Sequence, residues 1–206
     1  MKPIRKNISR LLEETVLRLN EEICDFEFTK KERAYLNEVL ERKVVHKKEF
    51  ILKAGECEEY IYFIESGGFR YWTISPSGKE ITFWLAFDLE FTYSYFSLNS
   101  YEASKFNIQA VTDSIVWRIE KKNINISHNN SANFNLLTRS ILEDILKRKI
   151  KREVELLSST PKERYSELLR HEKKVHLLIA SKDIASYLGI AHQTLCRIRK
   201  RIPPTE

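Results

Sequence analysis

Apolar residues change their spacing three times along this chain, and each change marks a different kind of element. Through residue 42, Ile8, Leu11, Leu12, Val16, Leu19 and Ile23 recur at helical steps, and Thr29 with Glu32 forms a capping box that opens a second helix. From Lys43 to about Ile119 the pattern turns to short runs of β-branched and aromatic residues, such as "YIYFIESGGFRYWTI" and "NIQAVTDSIVWRI". Gly67-Gly68 and Ser77-Gly78 mark tight turns in that region, which predicts at least two hairpins and a small antiparallel barrel or roll. Between about Ala132 and Leu157 the helical period returns as a broad stripe: Phe134, Leu137, Ile141 and Ile145, with Leu142, Leu146, Ile150, Val154 and Leu157. A helix there is about 40 Å long and needs a partner along it. The stretch "KRKIKRE" keeps one face solvated. The β region is expected to cover part of the stripe and the same helix of a second chain another part, with Phe134, Leu137, Ile141, Leu142 and Ile145 as the dimer contacts. In "SSTPKE", Thr160 caps a further helix, Pro161 takes its first position and Glu163 completes the box. The predicted class is α+β in three parts: a roll with N-terminal helices over 1–131, a dimerisation helix over 132–157, and a helical domain over 158–206.

Within that last part, "SKDIASYLGIAHQTLCRIRKR" (Ser181 to Arg201) has the spacing of a helix-turn-helix. Ile184, Ala185 and Leu188 share one face of a short helix, which stops at Gly189, a residue free to take the left-handed conformation. The next helix then buries Leu195 and Ile198, and small Ala185 lets the two helices cross closely. His192, Gln193, Thr194 and Arg197 stand on the outward face, followed by Arg199, Lys200 and Arg201. Glutamine suits adenine and arginine suits the O6 and N7 of guanine, while Arg199, Lys200 and, at the start of the first helix, Lys182 are placed for phosphates. An ordinary helical hairpin with a solvated basic face is the alternative, and the cations weigh against it.

Charge sharpens the picture. From Ser158 to Glu206 ten Lys and Arg stand against five acids, so most of the net +6 of the 206-residue chain sits around the reading helix. The apolar stripe of that helix is too narrow for a bilayer, no apolar run approaches a membrane span, and "MKPIRKNISRLLEE" lacks a signal-peptide core. A cytoplasmic protein is expected. Hydrophobic residues at 42% and charged ones at 31% suit a folded core. Cys24, Cys57 and Cys196 are odd in number and far apart, which speaks for reduced thiols, with Cys196 a small packing residue.

A β-roll, a long striped helix and a C-terminal helix-turn-helix, in that order, resemble the CRP/FNR family of bacterial transcription regulators. The resemblance rests on "FILKAGECEEYIYFIESGGFRYW", "SGKEITFW" and "KDIASYLGIAHQTLCRIRKRI", and it is similar to members common in Bacteroidetes. It implies a homodimer on a two-fold promoter site in double-stranded DNA, with RNA polymerase as a further partner. It places His192, Gln193 and Arg197 at base-reading positions and Thr194 at a phosphate. Relatives often continue into a wing hairpin where this sequence reads "RIPPTE", so modest affinity that depends on dimerisation is expected.

Departures from the family bear on the effector. Members that bind cyclic nucleotide carry a Gly-Glu pair and an Arg-Ser or Arg-Thr pair, where this chain has Ser104 and Lys105. No arginine occurs from Tyr71 to Trp117 and no glycine between Lys79 and Leu188, so a phosphate cradle lacks both its cation and its close backbone approach. This argues against cyclic AMP. The cysteines of an iron–sulfur centre are also missing, and a haem would depend on His46 alone. Phe83, Trp84, Phe87, Phe91, Tyr93, Tyr95, Phe96 and Tyr101 crowd the same region. They read as the filling of the roll, or as an apolar effector pocket of Phe83, Phe91, Tyr93 and Tyr95 with Lys105. Loss of effector sensing is a third reading. Catalysis on the roll would need clustered imidazoles, and no histidine lies between Tyr60 and Asn125, so a non-enzyme without a metal is expected. A β-roll module that binds an acidic protein instead of DNA is the remaining alternative.

Overall fold

The computed structural model describes residues 8–19, 25–100, 102–173 and 175–201, with no side-chain description for 9, 10, 19 and 127–130. Ile23, Cys24, Tyr101, Lys174 and the "RIPPTE" segment from 202 onward, on which expectations above fell, lie outside the described residues. Two helices lead: α1 (Ile8–Leu19) and α2 (Lys30–Val39). The Thr29 and Glu32 capping box opens α2, each side chain accepting from the other residue's backbone N–H.

The β region folds as β1 (Glu41–Val45), β2 (Phe50–Leu52), β3 (Tyr60–Ser66), β4 (Gly68–Ile74), β5 (Glu80–Phe87), β6 (Phe91–Thr92), a short helix α3 (Tyr95–Ser100), β7 (Asn107–Ala110) and β8 (Ser114–Glu120). Two antiparallel sheets result, ordered β1-β8-β3-β6 and β2-β7-β4-β5. First pairs with eighth, second with seventh, third with sixth and fourth with fifth, the pattern of one long hairpin rolled on itself. Val45, Ile64, Phe69, Ile108, Ala110 and Val116 fill the space between the sheets.

One expected hairpin is corrected. Ser77-Gly78 does turn β4 back onto β5, but β3 and β4 do not pair: at Gly67 the chain passes from one sheet to the other. Gly67 has φ +117°, and a Cβ there would lie 2.7 Å from the Ser114 Cα, so only glycine fits the crossing. Sequence spacing alone cannot separate a hairpin from a sheet-to-sheet step, because both need the same sharp turn.

After α4 (Lys121–Asn130) runs the long α5 (Ala132–Ser158), 27 residues capped by the Ser131 side chain. Phe134, Leu137 and Ile141 are buried against α1, α2, Phe63, Phe91 and Trp117, with Ile145 partly buried beside them. These four expected dimer contacts are thus packed within the chain. The N-terminal helices reach them first. Farther along, Leu146, Ile150, Val154 and Leu157 are exposed, with Leu142 half-buried at the head of the row. The "KRKIKRE" face is not uniformly solvated either, since Arg148 and Arg152 turn inward. The C-terminal domain follows as α6 (Pro161–His171), α7 (Val175–Leu178), α8 (Ser181–Tyr187) and α9 (His192–Arg201). No helix among the described residues is long and apolar enough to cross a membrane.

Candidate functional site

The α8–α9 pair follows the spacing of its residues. Gly189 ends the first helix at φ +66°, and the N–H groups of Gly189 and Ile190 bond back to Ser186 and Ala185. Ile184, Ala185, Leu188 and Leu195 are buried together with Tyr165 and Leu168 of α6, and Ile198 packs partly against them. With Leu195 pointing inward, His192, Gln193, Arg197, Lys200 and Arg201 are exposed and Thr194 is half-buried. Gln193, Arg197, Lys200 and Arg201 recur at steps of three and four, so they form one stripe along α9.

Two residues of that helix sit otherwise than expected. Arg199 donates to the Ser181 hydroxyl at 2.7 Å and to the Tyr165 hydroxyl at 3.3 Å, so it ties α9 to α8 and α6. Cys196 is exposed, its sulfur 3.9 Å from His192 Nδ1, and not a packing residue. The first turn of a helix carries few inward positions, and Leu195 already takes the one beside it. Lys182 is largely exposed at the start of α8.

A buried network joins this domain to the roll. Arg70 of β4 donates to Asp183 of α8 at 2.7 Å, lies 2.9 Å from Glu80, and also bonds Gln109 at 2.8 Å. The Thr82 N–H donates to the Ser186 hydroxyl, and Arg152 of α5 donates to the carbonyls of Phe83 and Tyr187 at 3.0 and 2.6 Å. Leu85, Phe87 and Val111 of the roll share one apolar cluster with the helix-turn-helix core. Sequence reasoning missed this clamp. Its one visible signal was a lone arginine in the otherwise apolar "GGFRYW" strand.

A second feature opens on the roll: a cleft of about 470 Å³ between sheet and α5. Phe83, Phe91, Tyr93 and Tyr95 line it as expected, with Tyr71, Trp84, Phe96 and Phe106. Lys105 does not line it; its side chain is exposed. Ser104 is occupied with its own backbone neighbourhood, donating to the Phe106 carbonyl at 2.8 Å. On the opposite wall stand Leu142, Ile145, Leu146, Arg148 and Lys149 of α5. Arg148 and Lys149 lie over the Trp84 ring at 4.8 and 5.6 Å. Arg148 is also held by Glu90 at 2.8 Å, and His171 by the same carboxylate at 3.1 Å. Burial works to raise Glu90, but the His171 hydrogen bond and the Arg148 and His171 charges hold it below the usual carboxylate range.

Beneath the cleft, burial pushes the Glu58 carboxyl up to about 7, although it accepts from the Ser94 and Tyr60 N–H groups. Burial likewise raises the Tyr71 and Tyr93 phenols, so both stay protonated. No cluster of three or more metal-ligating side chains occurs among the described residues.

Residues 42–126 match the family model of the cyclic nucleotide-binding domain. Curated protein sequences give no match. Among solved structures, FixK2 from Bradyrhizobium japonicum superposes with a TM-score of 0.70 at 18% identity, covering 80% of this chain and 84% of that one. A transcriptional regulator of the CRP/FNR family from Eubacterium rectale gives 0.67 at 18%, covering 84% and 83%. A CooA mutant from Carboxydothermus hydrogenoformans gives 0.62 at 18%, covering 89% and 83%. The roll, the long helix and the terminal helical pair therefore share their fold with these structures, and residues 42–126 are similar to a cyclic nucleotide-binding domain.

Proposed function

We propose that this protein is a sequence-specific, DNA-binding transcriptional regulator that acts as a homodimer on a two-fold promoter site. The observation that carries the reading is the α9 stripe: Gln193, Arg197 and Lys200 all face solvent while Leu195, among them in sequence, is wholly buried. His192, Gln193 and Arg197 read base edges; Thr194, Lys200 and Lys182 meet phosphates. Arg199 serves by holding α9 at its angle.

The exposed α5 residues Leu146, Ile150, Val154 and Leu157, with Leu142, recur at steps of three and four and supply the seam for a second copy. An unpartnered apolar row of this length is costly in water, and pairing removes it. Such a dimer sets two reading helices about one DNA turn, roughly 34 Å, apart. The regulator works in the cytoplasm, is not a catalyst, and approaches RNA polymerase from its promoter site.

The sensor half takes a small molecule other than cyclic AMP in the aromatic cleft. FixK2, the Eubacterium rectale regulator and CooA share the fold, and an effector pocket on this roll agrees with the matched domain. Yet the cleft is walled by rings, and no arginine or glycine stands where a cyclic phosphate would be cradled.

Electrophoretic shift of duplex DNA across a salt series tests the reading. A dimeric complex whose affinity falls steeply with salt but differs between duplex sequences supports it; equal affinity for every duplex contradicts it.

A further inference from the structure

Resting on the effector reading above, we infer that the cleft takes a flat, apolar compound of one or two rings that bears a single negative charge, and that Lys149 recognises the charge. The size comes first. About 470 Å³ holds a small ligand, whereas a helix some 10 Å across does not enter it. The walls come next: Tyr71, Phe83 and Phe106 meet at centroid distances of 5.2 to 6.1 Å, and the Tyr71 hydroxyl is already engaged with Thr92 at 2.8 Å. What they offer a ligand is ring faces and edges without a free polar group, a surface matched by another flat ring. At the rim, Tyr95 and Phe96 are each more than half exposed, apolar surface that an occupant would cover.

The charge is the remaining choice. Arg148 is balanced by both oxygens of Glu90. Its neighbour Lys149 has no carboxylate within ion-pair distance among the described residues, and its ammonium stands over the Trp84 ring inside the same lining. One uncompensated cation on an otherwise apolar surface selects one anionic group, a carboxylate or its equivalent. A neutral ring compound gains the walls and leaves Lys149 unanswered. A cyclic nucleotide brings a phosphodiester and a polar sugar into a lining made mostly of rings and aliphatic side chains. Because α5 carries both Lys149 and the exposed row at Leu146 and Ile150, an occupant would act on the helix that joins two copies.

Isothermal titration calorimetry of the full chain with 2-naphthoate and its uncharged isostere 2-naphthamide tests this directly. The naphthoate should bind at least about tenfold more tightly, as expected when one charge-assisted hydrogen bond separates the two. In Lys149→Gln the two should bind within about threefold of each other, the naphthamide affinity unchanged. Tyr95→Ala, which removes a rim ring, should weaken both. Equal affinities in the wild type, a preference that survives Lys149→Gln, binding untouched by Tyr95→Ala, or no binding of either compound each overturn the inference. Duplex binding measured without either probe judges the regulator reading separately: it can fail while the naphthoate preference stands, and the reverse.

Discussion

Arg197 and Lys200 lie one helical turn apart on α9, yet they carry different chemistry. On the proposed reading Arg197 pairs with a base, so Arg197→Ala should cost about 1 to 3 kcal/mol on the cognate duplex while relaxing preference at one base pair per half-site. Lys200→Ala should weaken all duplexes alike and make the salt dependence shallower by about one counterion. Anisotropy titrations on cognate and scrambled duplexes over several salt concentrations separate the two; equal losses on both for Arg197→Ala would remove it from base reading. Glu58 gives a second expectation at this scale. Its carboxyl is raised to about 7 by burial, so the folded state holds a proton that the unfolded chain has released. The stabilisation is fully present below the ordinary carboxylate range near 4.5 and is lost as pH rises to about 7, by up to about 3 kcal/mol. Urea unfolding at pH 5 and pH 8 should therefore show a larger fall for wild type than for Glu58→Gln. A parallel response of the two would deny Glu58 that role. The sequence disclosed the α9 stripe because glycine, small and apolar positions fall at fixed offsets from it. It hid Glu58, whose burial comes from packing α3 beneath the roll and has no local pattern.

The long helix α5 shows how one element divides its surface. Its N-terminal half faces α1, α2 and the first sheet through Phe134, Leu137 and Ile141, and its C-terminal half leaves Leu146, Ile150 and Val154 open. An element with two partners has two stripes. A single broad stripe in the sequence shows that partners exist but cannot say which residues go to which, because the deciding contacts come from elements a hundred residues away. For this reason Phe134, Leu137 and Ile141, expected as dimer contacts, pack within the chain, and the seam proposed above lies farther along α5. Ile150→Glu places a charge in the middle of the open row and should convert a dimer into a monomer with its helical content unchanged. Sedimentation velocity beside circular dichroism decides; a dimer that persists at micromolar concentration with the glutamate in place would put the seam elsewhere. The β-roll was the more legible element, since alternation and turn residues are local. Only the sheet-to-sheet step at Gly67 escaped, a matter of which strands find each other.

On the scale of the whole molecule, the helix-turn-helix domain and the roll are clamped by Arg70, Asp183, Ser186 and Arg152. The Arg152 contact is notable for its geometry. One guanidinium on α5 holds the backbone of Phe83, whose ring lines the cleft, and the backbone of Tyr187, at the end of α8. A change in the cleft is therefore two hydrogen bonds from the helix-turn-helix domain. Asp183→Asn leaves Arg70 with Glu80 and Gln109 but weakens the bridge to α8, so amide exchange across α8 and the start of α9 should speed up while exchange in β3 and β8 stays as it was. Unchanged protection in α8 would mean that apolar packing of Leu85 and Phe87 alone sets the docking. Residue order showed only the lone arginine of this clamp and not its partner, since Arg70 and Asp183 are far apart in the chain and neither belongs to a periodic pattern.

Selection of duplexes from a randomised pool by the full-length protein, with sequencing of the bound fraction, most directly tests the central claim that paired α9 helices read DNA. The expected outcome is one enriched motif with two-fold symmetry and half-sites centred about one helical turn, roughly 34 Å, apart. A bound fraction indistinguishable from the starting pool, or a motif without a symmetric mate, would contradict it.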